Sequence, residues 1–127
     1  MDLNSAYQVR VTGKTWLGPD VFELRVEKPP GVSFNAGQKV FLGVGTEGRE
    51  YTIASGPSGD LRFCIKHLRG GSISEKLSLL EVGERLRMSG AGGFFVYRPG
   101  RAVFVATGTG VAPFVSYACH GISGFTI

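Results

Sequence analysis

Metal-binding and disulfide chemistry have little to work with in this sequence: 127 residues contain two cysteines and two histidines. Cys64 and Cys119 do not form a C-x-x-C pair, which argues against a disulfide framework or a zinc site and predicts buried free thiols. His67 and His120 have no carboxylate or thiolate partners at ligand spacing, so metal chemistry is not expected. No apolar run approaches the ~20 residues of a membrane span. The opening Met1-Asp2-Leu3-Asn4-Ser5 lacks the basic and apolar regions of a secretory signal, and the expectation is a soluble, cytoplasmic protein. The 14 Lys and Arg against 10 Asp and Glu give a net charge of +4, but the basic residues are scattered singly. That pattern suits a solvated surface and not a nucleic-acid patch.

What the sequence does contain is glycine, 20 residues, and 43% hydrophobic residues. The glycine count is about twice average usage, as expected of a chain that turns often around a core. Tyr7, Val9 and Val11 alternate with polar neighbours, and Phe22, Leu24 and Val26 do so after the turn Leu17-Gly18-Pro19-Asp20. Val40, Leu42 and Val44 predict a third strand, Tyr51 and Ile53 a fourth, Leu61, Phe63 and Ile65 a fifth, and Leu86 with Met88 a sixth. Breaks fall at Pro29-Pro30-Gly31, Gly56-Pro57-Ser58-Gly59 and Ala91-Gly92-Gly93. Six short strands with one helical interruption imply a small closed barrel.

The interruption is 72–80. Ile73, Leu77 and Leu80 share a helical face, and Ser72 with Glu75 has capping-box spacing after Gly70-Gly71. The start of such a helix offers free N–H groups to an anion such as phosphate; on spacing alone, a barrel-capping helix that binds nothing is the simpler reading. All charged residues precede Ala102, leaving 102–127 without any. Within that tail, 102–106 reads as a buried strand, 107–110 as a glycine turn, 111–119 as a helix and 125–127 as the start of another strand. This is the beginning of a βαβ unit, with a boundary near Pro99-Gly100-Arg101. The turn is a poor dinucleotide fingerprint by itself, because Pro113 occupies the third glycine position.

Four segments in order, Phe34-Asn35-Ala36-Gly37-Gln38, Arg49-Glu50-Tyr51-Thr52-Ile53-Ala54-Ser55, Gly70-Gly71-Ser72-Ile73-Ser74-Glu75-Lys76-Leu77 and Thr107-Gly108-Thr109-Gly110-Val111-Ala112-Pro113, resemble the ferredoxin–NADP reductase superfamily. The resemblance implies a mainly β fold: a six-stranded antiparallel Greek-key barrel over 1–100 that binds flavin, then the truncated start of an NAD(P)-binding α/β domain over 101–127. Residues i and i+2 of a strand share a face, so Arg49 and Tyr51 can meet one ligand together. In the family the arginine contacts flavin phosphate and the tyrosine packs on the ring system, while Thr52 matches the hydroxyl near flavin N5. Gly71, Ser72 and Ser74 fit the family's phosphate turn. Ile65, Lys66 and His67 match the strand end lining the ribityl and adenine side, where His67 is a wall or surface residue and not an acid–base catalyst. Phe34, Gly37 and Gln38 are structural. Gly108, Thr109 and Gly110 match the turn that holds the nicotinamide pyrophosphate.

The implied cofactor is FAD, with FMN the alternative, and the NAD(P)H site is incomplete. The implied activity is hydride transfer from NAD(P)H to flavin and electron delivery to an acceptor, impaired by truncation. A non-catalytic flavin-binding or interaction module that docks with another chain is the competing reading. Self-association or a partner chain is expected to cover the uncharged tail.

Overall fold

The computed structural model describes residues 6–93, 103, 105–106 and 108–122. Six strands are present: β1 (Tyr7–Trp16), β2 (Val21–Val26), β3 (Lys39–Val44), β4 (Glu47–Thr52), β5 (Leu61–Lys66) and β6 (Arg85–Met88). Helix α1 (Ile73–Leu79) separates β5 from β6. A 3-10 turn, Gly108–Val111, leads into helix α2 (Ala112–Cys119). The strands are antiparallel in the order β4-β3-β6-β1-β2-β5, forming a nearly closed barrel. All six expected strands are present.

Alternation buries one face of β2, β3, β5 and β6, whereas β4 holds no buried residue. Val9, Phe22, Leu24, Val40, Leu42 and Phe63 are fully buried, and Ile73 and Leu77 of α1 complete the same cluster. Ile53, expected within the fourth strand, lies just beyond β4 and is fully buried.

β1 departs from simple alternation, because Val11 faces Val26 while Gly13 faces Arg25, leaving an extra residue at Thr12. A bulge of this kind bends a strand and shifts its inward phase by one residue. The first part of β1 pairs β6 and the second part pairs β2, so the bend lets one strand turn the barrel's corner. At Gly13 a Cβ would lie 2.5 Å from the Arg25 guanidinium, so the long Arg25 side chain occupies the space the missing side chain leaves.

Three expectations need correction. Ser72 makes no side-chain cap bond, because its backbone is already helical (φ −74°, ψ −68°), whereas a capping side chain works from an extended N-cap. Cys119 is exposed and Cys64 half-buried, both free; Cys119 ends α2 beside Gly56, next to an open pocket and not in a core. Val103 and Val105 are 76% and 84% exposed, so at these positions the apolar run 102–106 is not buried: the six-stranded sheet is built wholly from strands before residue 89. The expected boundary at 99–101 and the strand at 125–127 lie outside the described residues.

Among the described residues no helix is long and apolar enough to cross a membrane.

Candidate functional site

β4 and β5 are the two ends of the strand order, and the barrel's seam lies between them. It is closed at one end, where the Ala54 N–H donates to the Arg62 carbonyl (2.8 Å) and the Arg62 N–H donates to Ser55 Oγ (3.2 Å). Beyond that closure, among the described residues, β4 pairs only with β3, and β5 only with β2. At the other end, α1 packs across β3 and β4, with Lys76 Nζ 3.4 Å from Glu47 Oε2. The seam thus has walls of β4 and β5 and is flanked at its open end by α1.

Arg49 and Tyr51 stand on the β4 wall. Their partners across the ladder, Leu42 and Val40, both face the core, so the two side chains share a strand face as expected. Tyr51 is half-buried and packs against the core cluster. Burial raises its phenol pKa above the ordinary value, and the Arg49 guanidinium beside it pulls the other way. Arg49 is exposed, and it makes no hydrogen bond or ion pair with the described residues. An aromatic ring anchored on one side and a guanidinium without an internal partner offer a stacking surface and an anion contact together. This donor set fits a flat apolar ring system carrying phosphate. Thr52 ends β4, half-buried and opposite Lys39; alternation puts its side chain on the other strand face from Tyr51.

On the β5 side, Ile65 is buried and Lys66 exposed. The His67 N–H donates to the Asp20 carbonyl (2.7 Å), and its ring meets Trp16 edge-on at 5.7 Å. The connection to α1 is tightly folded: the Gly71 N–H donates to the Leu68 carbonyl (2.9 Å), and the Leu68 N–H donates to Ser74 Oγ (3.0 Å). A Cβ on Gly71 would lie 2.8 Å from the Leu68 carbonyl oxygen. Ser74 is buried and Ser72 exposed. Asn35 and Gln38 close the turn before β3, with the Gln38 N–H on the Asn35 carbonyl and the Asn35 N–H on Gln38 Oε1.

Gly108, Thr109 and Gly110 form the turn before α2, and this turn lies against β5. α2 is fastened to the barrel by Ser116 Oγ, which donates to the Ser55 carbonyl (2.8 Å), and by Phe114 and Tyr117 packing with Ala36. Burial raises the Tyr117 phenol pKa as well.

Sequence reasoning missed Lys14, Glu47 and Ser116. Their partners are remote in sequence, and no local spacing signals them.

The fold and this seam define a flavin-binding antiparallel barrel of the reductase type. Residues 8–97 match the oxidoreductase FAD-binding domain family, and the chain belongs to that family, within the ferredoxin–NADP reductase superfamily. It is 41% identical to ferredoxin–NADP reductase B of Sorangium cellulosum, over 84% of this chain and 48% of the relative. It is 34% identical to a flavodoxin/ferredoxin–NADP reductase of Rhodobacter capsulatus, over 76% of this chain and 40% of the relative. Among solved structures, a ferredoxin–NADP reductase from Neisseria gonorrhoeae with bound FAD and NADP superposes with a TM-score of 0.83 at 22% identity, covering 90% of this chain and 50% of that one. The chain therefore spans about half the length of these relatives.

Proposed function

We propose that this chain is the flavin-binding part of an NAD(P)H-dependent electron-transfer reductase and that FAD lies along the β4–β5 seam. The observation that carries this reading is the pairing of Arg49 and Tyr51 on one face of a strand whose outer edge is unpaired among the described residues, neither side chain hydrogen-bonded to any of them. FAD supplies the redox chemistry, accepting a hydride and releasing electrons singly.

The protein's part is binding and orientation. Tyr51 backs the ring system, Arg49 neutralises phosphate charge, and the Gly71–Ser74 segment, with Ser72 at its exposed side, supplies further donors to phosphate. Ile65, Lys66 and His67 line the side toward the ribityl and adenine groups. Thr52, adjacent to Tyr51, is assigned the hydroxyl beside the redox-active edge, on the strength of its family position. Gly108, Thr109 and Gly110 are assigned to nicotinamide pyrophosphate, with 1–100 the flavin unit and 101–127 the opening of the nicotinamide unit. FAD binding is expected of these 127 residues. Reduction by NAD(P)H, and electron delivery to an acceptor protein, are expected of a chain spanning the relatives' full length.

The test is a titration of the flavin-free chain with FAD and with FMN, followed by quenching of flavin fluorescence and by calorimetry. Saturable one-to-one binding with FAD preferred is the expected result. No heat and no quenching with either nucleotide would defeat the proposal. Bleaching of the bound flavin by NADH or NADPH under anaerobic conditions, compared between this chain and a full-length relative, tests the division of labour.

A further inference from the structure

Lys14 does what the alternation of β1 does not anticipate. Counted in twos from Val9 and Val11, the inward positions would be Gly13 and Thr15, with Lys14 on the outside. The bulge at Thr12 shifts the phase, so Lys14 faces Leu24 and Trp16 faces Phe22, both partners fully buried. A lysine turned toward a core needs acceptors for its ammonium group, and here it has them. Lys14 Nζ donates to the Leu80 carbonyl (2.9 Å) and to the Ser78 carbonyl.

Those carbonyls belong to the last turn of α1, where backbone acceptors have no helical partner. Ser78 Oγ in turn donates to the Glu75 carbonyl (2.6 Å), and the Leu80 N–H reaches the Leu77 carbonyl (3.3 Å). A cation at this end also opposes the partial negative charge of the exposed carbonyls. Besides the core packing of Ile73 and Leu77 and the Leu68 N–H bond to Ser74 Oγ at its start, the helix is held by Lys14 from β1 at its end and by Glu47 from β4 through Lys76. α1 is therefore a short rigid bar between the strand that carries Arg49 and Tyr51 and the strand that carries Lys14.

We infer that Lys14 is a positioning residue for the flavin site: by clamping the end of α1 it sets where the Gly71–Ser74 segment stands relative to Arg49 across the open seam. This inference rests on the flavin reading above and adds a residue to it. The bulge is part of the same device, because without the phase shift the ammonium group would point into solvent.

The two phosphate-binding elements, and not the ring-stacking Tyr51, are what Lys14 aligns. The decisive comparison is therefore between FAD and riboflavin, which carries the same ring without phosphate. Lys14→Met is expected to weaken FAD binding about tenfold while riboflavin affinity stays within about twofold. Lys14→Arg, which keeps charge and donors, is expected to bind FAD within about threefold of the parent. Thermal unfolding of the flavin-free variants, followed by circular dichroism, shows whether each is folded.

Equal losses for FAD and riboflavin in Lys14→Met, or no loss for either, would overturn the positioning role. So would failure of Lys14→Met and Lys14→Gln alike to fold, since Lys14 would then serve the fold itself. If the parent chain binds neither ligand, it is the flavin reading that fails, which separates the two ideas.

Discussion

Removing the Arg49 side chain separates binding from folding more cleanly than any other change at the seam. Arg49 is exposed and makes no hydrogen bond or ion pair among the described residues, so Arg49→Ala is expected to leave the stability of the flavin-free chain within about 0.5 kcal/mol, as for surface substitutions generally. The lost contact is a charge-assisted hydrogen bond to phosphate, worth about 1.5–3 kcal/mol. At 1.4 kcal/mol per factor of ten, that is a rise in the FAD dissociation constant of roughly 10- to 150-fold. Tyr51→Ala has a different signature: its ring packs on the core cluster, so losing it should cost the flavin-free chain about 1–3 kcal/mol as well as flavin affinity. Arg49→Lys should fall between parent and alanine, keeping the charge but losing the planar fork. The assays are FAD titration by fluorescence quenching and thermal unfolding without flavin. A change in FAD affinity under threefold for Arg49→Ala, or a stability loss matching that of Tyr51→Ala, would refute the reasoning.

Gly71→Ala is expected to destabilise the chain by about 1–3 kcal/mol, because the added Cβ would stand 2.8 Å from the Leu68 carbonyl oxygen; an unchanged unfolding midpoint would show that the turn relaxes freely. Ser116→Ala removes the buried bond to the Ser55 carbonyl and should cost about 1–3 kcal/mol through that unsatisfied acceptor, read as a lower midpoint in urea. Alkylation should distinguish the two thiols. Cys119 is exposed, whereas burial and then Glu23 raise the Cys64 pKa, so iodoacetamide at pH 8 should label Cys119 at least about tenfold faster. Comparable rates, measured by peptide mass spectrometry, would contradict that difference in environment.

Much of the architecture is written locally. Period-two alternation at Phe22-Leu24-Val26 and Leu61-Phe63-Ile65 is enough to mark strands with a buried face, and the structure has both where the pattern puts them. The ordered motifs, above all Arg49-Glu50-Tyr51-Thr52, mark the family because they place an arginine and an aromatic ring on one strand face. Other features were not legible. The apolar run 102–106 reads as a buried strand, yet burial depends on which strands lie beside it, and Val103 and Val105 are exposed. The Ser72–Glu75 spacing reads as a capping box, yet the backbone at Ser72 had already turned helical.

The chain's own alphabet settles its strands, its glycine turns and the placing of Arg49 and Tyr51 on one strand face, because each of these depends on neighbours within a few residues. Tertiary structure alone decides the rest. It puts the seam between β4 and β5, closes one end through Ala54, Ser55 and Arg62, and swings Lys14 inward to the end of α1. These follow from backbone groups meeting partners far along the chain, Lys14 with Ser78 and Leu80 above all. A single bulge residue reverses the facing of the strand beyond it, so no reading of local period could have found that clamp.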